Sequence, residues 1–100
     1  MPKGYVILTE AIKDQAAMEE YGRKSAPPLI ESRARVLAVD TEPLTLEGEW
    51  HGNRTVVLEF ESVEAAHAWY GSESYQEALP LRLAAADCNL VILSGFERPA

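Results

Sequence analysis

Residues 5–9, Tyr-Val-Ile-Leu-Thr, are aromatic or branched and carry apolar side chains on both alternating faces, the pattern of a short strand buried on both sides. The period then lengthens. From Asp14, a good N-cap residue, Ala17, Met18, Tyr21 and Ser25 recur at helical spacing beside Glu19, Glu20, Arg23 and Lys24. This predicts an amphipathic helix that falters at Pro27-Pro28, with Leu29 and Ile30 extending it beyond a kink. Residues 35–39 read as a second strand, and Pro43 in the stretch 41–46 argues for an edge or a bulge with irregular pairing. Residues 47–50 and 54–60 flank His51-Gly52-Asn53, a Gly-containing connection that fits a hairpin turn; residues 54–60 are the clearest strand pattern in the chain.

Ser62 is placed to cap a helix whose Val63, Ala66, His67 and Tyr70 share one face, and Gly71-Ser72 to end it and cap another. In that second segment Tyr75, Leu79, Leu83 and Ala86 line one face, and Pro80 predicts a kink or restart. Residues 89–94 close the chain as a fourth strand. The order β-α-β-β-α-β predicts a single ferredoxin-like α+β domain over residues 1–100, a four-stranded antiparallel sheet with its helices on one face. Strands one, three and four are apolar on both sides, so the face away from the helices would be left in water in a monomer. A second copy packed sheet against sheet, making a homodimer, is the simplest remedy.

Composition narrows the partners. One hundred residues with 47% apolar and 25% charged side chains are ordinary for one globular domain. The net charge of -7 and the scattered cations argue against nucleic acid, which is held by clustered Lys and Arg; Arg33 and Arg35 read as protection of a strand edge. Cys88 is the only cysteine, which excludes an internal disulfide framework and a cysteine-based zinc site and fits a reducing cytoplasm. Residues 1–4 lead straight into the first strand without an export signal, and no apolar run is long enough for a bilayer, so a cytoplasmic protein free of the membrane is expected.

Glu59-Phe60, Ala65-Ala66, Ala68-Trp69-Tyr70, Ser74-Tyr75-Gln76, Arg82 and Ala84-Ala85-Ala86-Asp87 together resemble the small bacterial family called domain of unknown function 1330. Gly4-Tyr5, Glu20-Tyr21 and Leu46-Glu47-Gly48-Glu49-Trp50 extend the likeness over nearly the whole chain. The resemblance implies the dimeric α+β barrel superfamily, whose relatives include cofactor-independent monooxygenases, haem-degrading enzymes and muconolactone-isomerase-like proteins. The chain departs from the family pattern at Ser32-Arg33, where a Gly-Gly pair is usual, at Ser74, where Pro is common, and at Pro80.

Trp69, Tyr70, Tyr75 and Arg82 are the candidate ligand-binding residues, because two helical segments meeting at Gly71-Ser72 can aim aromatic rings and one cation at a cavity beside the sheet. Arg pairs a carboxylate bidentately, and phenols donate to an enolate or phenolate oxygen. The plainer reading makes the aromatics core or interface anchors and pairs Arg82 with Glu77 or Asp87. His67 joins the candidates from the face it shares with Val63 and Tyr70, and its pKa range suits proton transfer. His51 reads as an exposed loop residue, and two histidines without a His-x-x-x-His pair give a metal little support. Cys88 reads as a small core residue with no basic neighbour in sequence, Glu19-Glu20 as a solvated helix face, and neither a phosphate-binding glycine loop nor a Gly-x-Ser-x-Gly elbow is present.

Two functions follow. The first is a homodimer that binds or transforms a small aromatic or enolisable metabolite without a cofactor. The second is a non-catalytic dimerisation or interaction module with no ligand pocket, in which Leu8, Leu58, Val91 and Leu93 interdigitate and leave no room for a ligand.

Overall fold

The structure, a computed structural model, describes residues 2–99. Met1 and Ala100, the ends of the expected domain, lie outside the described residues. The chain runs β1 (Gly4–Ile12), α1 (Gln15–Glu31), β2 (Arg35–Asp40), β3 (Arg54–Phe60), α2 (Val63–Gly71), α3 (Glu73–Ala85) and β4 (Ala86–Ser94). The strands form one antiparallel sheet in the order β2-β3-β1-β4, the ferredoxin-like arrangement expected from the alternation of periods.

Local chemistry sets the element ends. The Asp14 side chain accepts from Ala17 N at 3.0 Å, and Ser62 Oγ accepts from Ala65 N at 3.0 Å. Ser72 serves two helices: its Oγ donates to Trp69 O at 2.7 Å, closing α2, and accepts from Tyr75 N at 3.3 Å, opening α3. Leu29 and Ile30 extend α1 past Pro27 and Pro28, which lie in its last turns, and the helix ends at Glu31; α3 likewise runs through Pro80. Past α1, Arg33 sits in left-handed backbone with φ 61°. The resemblance implies a glycine here, the residue that adopts that conformation without steric cost.

Three sequence expectations are corrected. Residues 47–50 form no strand; residues 41–53 make one long connection that folds back on β1, where Asn53 N donates to Glu10 O at 2.8 Å and Ile12 N to Asn53 Oδ1 at 3.1 Å. His51, expected to be exposed, is half-buried with Nδ1 2.7 Å from Thr9 Oγ1. The inward face of α3 is Tyr75, Ala78, Leu79, Arg82 and Ala85, while Leu83 is 61% exposed and Ala86 begins β4.

The core lies between the helices and the face of the sheet bearing Val6, Leu8, Val56, Leu58 and Phe60. Period-two alternation turns Ile7, Val57, Val91 and Leu93 to the other face, where Val91 and Leu93 stay about half exposed. Leu8 and Leu58 therefore cannot meet Val91 and Leu93 in a sheet-to-sheet interface, because they belong to opposite faces. Strand β2 is an edge, bulged between Val36 and Ala38, and all six of its residues are exposed.

Candidate functional site

The inward register of β1 runs Val6, Leu8, Glu10, and that of β3 runs Phe60, Leu58, Val56, Arg54. At the end of both apolar series two charged residues come opposite each other. Glu10 is fully buried, and its Oε1 lies 3.0 Å from Arg54 Nε. The contact is one of charge: the groups are not aligned for a hydrogen bond, and both carboxylate oxygens and Arg54 Nε lack any hydrogen-bond partner. Burial pushes the Glu10 carboxyl above its ordinary range, against the opposing pull of Arg54 and Arg82.

Arg82, 2% exposed, enters the same interior from α3. It pairs with neither Glu77 nor Asp87; its Nε donates to Tyr75 Oη at 3.3 Å, and Tyr75 Oη lies 2.8 Å from Tyr21 Oη. The guanidinium also sits 5.8 Å from the centre of the Tyr21 ring. Cys88, opposite Glu10 on the inward face of β4, feels the charge of Arg82, a basic neighbour that sequence adjacency did not show. Burial nevertheless holds its thiol above the usual range, so it is no ready thiolate. One buried carboxylate thus faces two guanidiniums, the buried Arg82 and the half-buried Arg54, an excess of positive charge.

Beside this network a cleft of about 160 Å³ opens between α1 and the helix-facing side of β2 and β3. Leu8, Leu29, Val36, Val39, Val56 and Leu58 give it apolar walls, and Tyr21, Ser25, Arg54 and Trp69 are its members with polar groups. It exists because α1 packs on α3, with no comparable approach to β2 or β3, and because Gly22 of α1 carries no side chain there: a Cβ at that position would meet nothing within 4 Å. Trp69 is buried, yet its Nε1 has no hydrogen-bond partner.

Of the residues singled out in the sequence, Trp69, Tyr75 and Arg82 come together in this interior. The Trp69 and Tyr75 rings lie 4.4 Å apart, and the half-buried Tyr70 ring lies 5.6 Å from Tyr75. His67 is exposed on α2 and shares an open surface groove with Tyr70, Leu90 and Ile92, away from the Glu10–Arg54 pair. Among the described residues no three of His, Cys, Asp and Glu come together as a metal-binding group. Sequence reasoning missed Glu10, Arg54 and Tyr21 as site residues. The available signal was parity: Glu10 continues Val6 and Leu8, and Arg54 begins the series of Val56, Leu58 and Phe60, which places a charge in a core register twice.

Residues 3–96 match the profile of a family described as Domain of unknown function (DUF1330). No curated protein sequence matches the chain. Among solved structures, the RPA0582 protein of unknown function from Rhodopseudomonas palustris is similar with a TM-score of 0.80 and 22% identity, over 97% of this chain and 85% of that one. SnoaB, a cofactor-independent oxygenase from Streptomyces nogalater, has a TM-score of 0.68 and 8% identity over 98% and 97%. A dimeric protein of unknown function and ferredoxin-like fold from Bacteroides fragilis has a TM-score of 0.61 and 9% identity over 92% and 95%. At these identities the likeness is one of fold.

Proposed function

The chain belongs to the DUF1330 family, and we propose that it binds a small aromatic or enolisable organic anion, without a cofactor, in the cleft between α1 and β2–β3, and that it does so as a homodimer. One observation carries this reading: Arg54 and Tyr21 line an otherwise largely apolar cleft, beside a site where a buried and a half-buried guanidinium outnumber one carboxylate. A net positive interior favours an anion, and apolar walls favour a ring over a hydrated ion. The volume suits one ring, since an apolar cavity of about 150 Å³ holds benzene. An interaction module with a filled interior is not supported by a cleft of this kind. The homodimer rests on the apolar outer sheet face, on which Ile7, Val57, Val91 and Leu93 share one side.

The test is thermal unfolding against a panel of single-ring carboxylates and phenols, with Gly22→Leu as the blocked variant. Gly22 lines the cleft and a Cβ there meets nothing within 4 Å, so a leucine enters without a clash and is expected to crowd the cleft while leaving α1 intact or firmer. A ligand at about one hundred times its Kd stabilises the native protein by about 2.7 kcal/mol, and the blocked variant should fold and show no such gain. No stabilisation by any member of the panel, or equal stabilisation of Gly22→Leu, rules the cleft out.

A further inference from the structure

A tyrosine hydroxyl has one proton to give and lone pairs to receive, whereas an arginine N–H only gives. Arg82 Nε donates to Tyr75 Oη, and Tyr75 and Tyr21 share one hydrogen bond of 2.8 Å. The pair of phenols has two protons and spends one between them. Tyr75 is wholly enclosed, with Arg82 and Tyr21 as the partners of its hydroxyl, while Tyr21 lines the cleft. The arrangement that leaves no proton stranded runs in one direction: Arg82 to Tyr75, Tyr75 to Tyr21, and Tyr21 outward.

We propose that Arg82, Tyr75 and Tyr21 form a directional hydrogen-bond chain whose last proton is given to an oxygen anion of a phenolic or enolic ligand in the cleft, with Trp69 Nε1 as a second donor. The inference rests on the cleft reading above and goes further, for it specifies the ionised form of the ligand and the atom by which it is held. Each hydroxyl is polarised by the donor behind it, so the charge of a guanidinium that stays buried is felt at the cleft through two phenols. Burial, reinforced by Tyr75 and opposed by the nearby Arg82 guanidinium, raises the pKa of the Tyr21 hydroxyl above its ordinary range, which keeps Tyr21 a donor at neutral pH. Trp69 independently points to the same ligand chemistry: an enclosed indole N–H without a partner, on a residue lining the same cleft, calls for an acceptor. A site built of donors favours phenolate over phenol.

The experiment titrates 4-nitrophenol, whose phenolate is read by absorbance, free and in the presence of saturating protein, with nitrobenzene as a ring of similar shape that cannot ionise. The bound nitrophenol is expected to ionise at least about one pH unit below the free compound, about tenfold in its ionisation constant. Tyr75→Phe should move the midpoint back toward its value in buffer while nitrobenzene still binds, and Tyr21→Phe, which removes the terminal donor, supplies the same test should Tyr75→Phe fail to fold. Binding of both compounds with no shift, or an unchanged shift in either folded variant, overturns the chain and leaves the cleft reading standing. Binding of neither compound overturns both.

Discussion

Glu10 and Arg54 face each other across the β1–β3 ladder, 3.0 Å apart at Oε1 and Nε, with the carboxylate enclosed and neither group aligned for a hydrogen bond. Removing one partner of such a buried pair is more costly than the pair is stabilising, because the remaining charge stays in a poorly solvated interior. Arg54→Met should destabilise the protein by about 3–5 kcal/mol at neutral pH, measured by urea unfolding. The double variant Glu10→Gln/Arg54→Met should recover much of the loss, and a double variant as unstable as the single one would show that the guanidinium acts through packing.

Protonation of Glu10 gives a second expectation. Its folded pKa lies above the unfolded value near 4.5, with burial the largest cause, so the native state holds this proton more tightly than the unfolded chain does. The group's contribution is therefore most favourable below the unfolded pKa and is lost as pH rises through the folded one. Relative to Glu10→Gln, the natural protein should gain stability as pH falls from neutral toward 4.5. Parallel stability profiles for the two proteins across that range would contradict the assignment.

The turn that rests on β1 at this site depends on Gly52. Its φ is +80°, and a Cβ there would lie 2.3 Å from Glu10 O. Gly52→Ala combines backbone strain with a clash against a strand that cannot move freely, so a loss of about 2 kcal/mol or more is expected. Chemical denaturation reads it, and a neutral result would mean that residues 41–53 reorganise without engaging β1.

The opposite outcome is expected at Arg33, a non-glycine residue at φ 61°. Arg33→Gly removes the steric cost of left-handed backbone, at some expense in unfolded-chain entropy, for a net gain of about 0.5–1 kcal/mol. The same denaturation experiment checks it, and a destabilised variant would assign Arg33 a contact whose loss outweighs the strain.

The proposed homodimer predicts that Leu93→Lys, on the outer sheet face, weakens association while leaving the monomer folded. Native mass spectrometry of the natural protein should give a dimer and of the variant mainly a monomer, with unchanged far-ultraviolet circular dichroism. A monomeric natural protein would remove the homodimer from the proposal.

Much of the fold was legible because each element has a distinct period and a cap of its own, as at Asp14, Ser62 and Ser72. The site was legible only in part. Trp69, Tyr75 and Arg82 stand out as aromatics and a cation at helical spacing, whereas Glu10 escapes notice because the apolar pattern of the first strand stops at Thr9, just before this charged residue. Its partner Arg54 is set by strand register, a long-range relation that no local window contains. Leu83 misleads for the converse reason: composition favours a buried leucine, but Tyr75 offers the neighbouring Arg82 an acceptor that lets it point inward instead.

Strand β2 forms one rim of the cleft through Val36 and Val39, yet it is paired on one side alone, by a bulged ladder with β3 and the Arg35–Glu59 ion pair across it, and all its residues are exposed. Such a strand opens at a fraction of the free energy needed to unfold the domain, so its amide protons should exchange with solvent well before those of β1, which is paired on both sides. The rim and the floor of the cleft then differ in lifetime: a ligand reaches a fixed floor of β1 and β3 residues past an edge that fluctuates, and an occupied cleft should be recognised first by slowed exchange along residues 35–40.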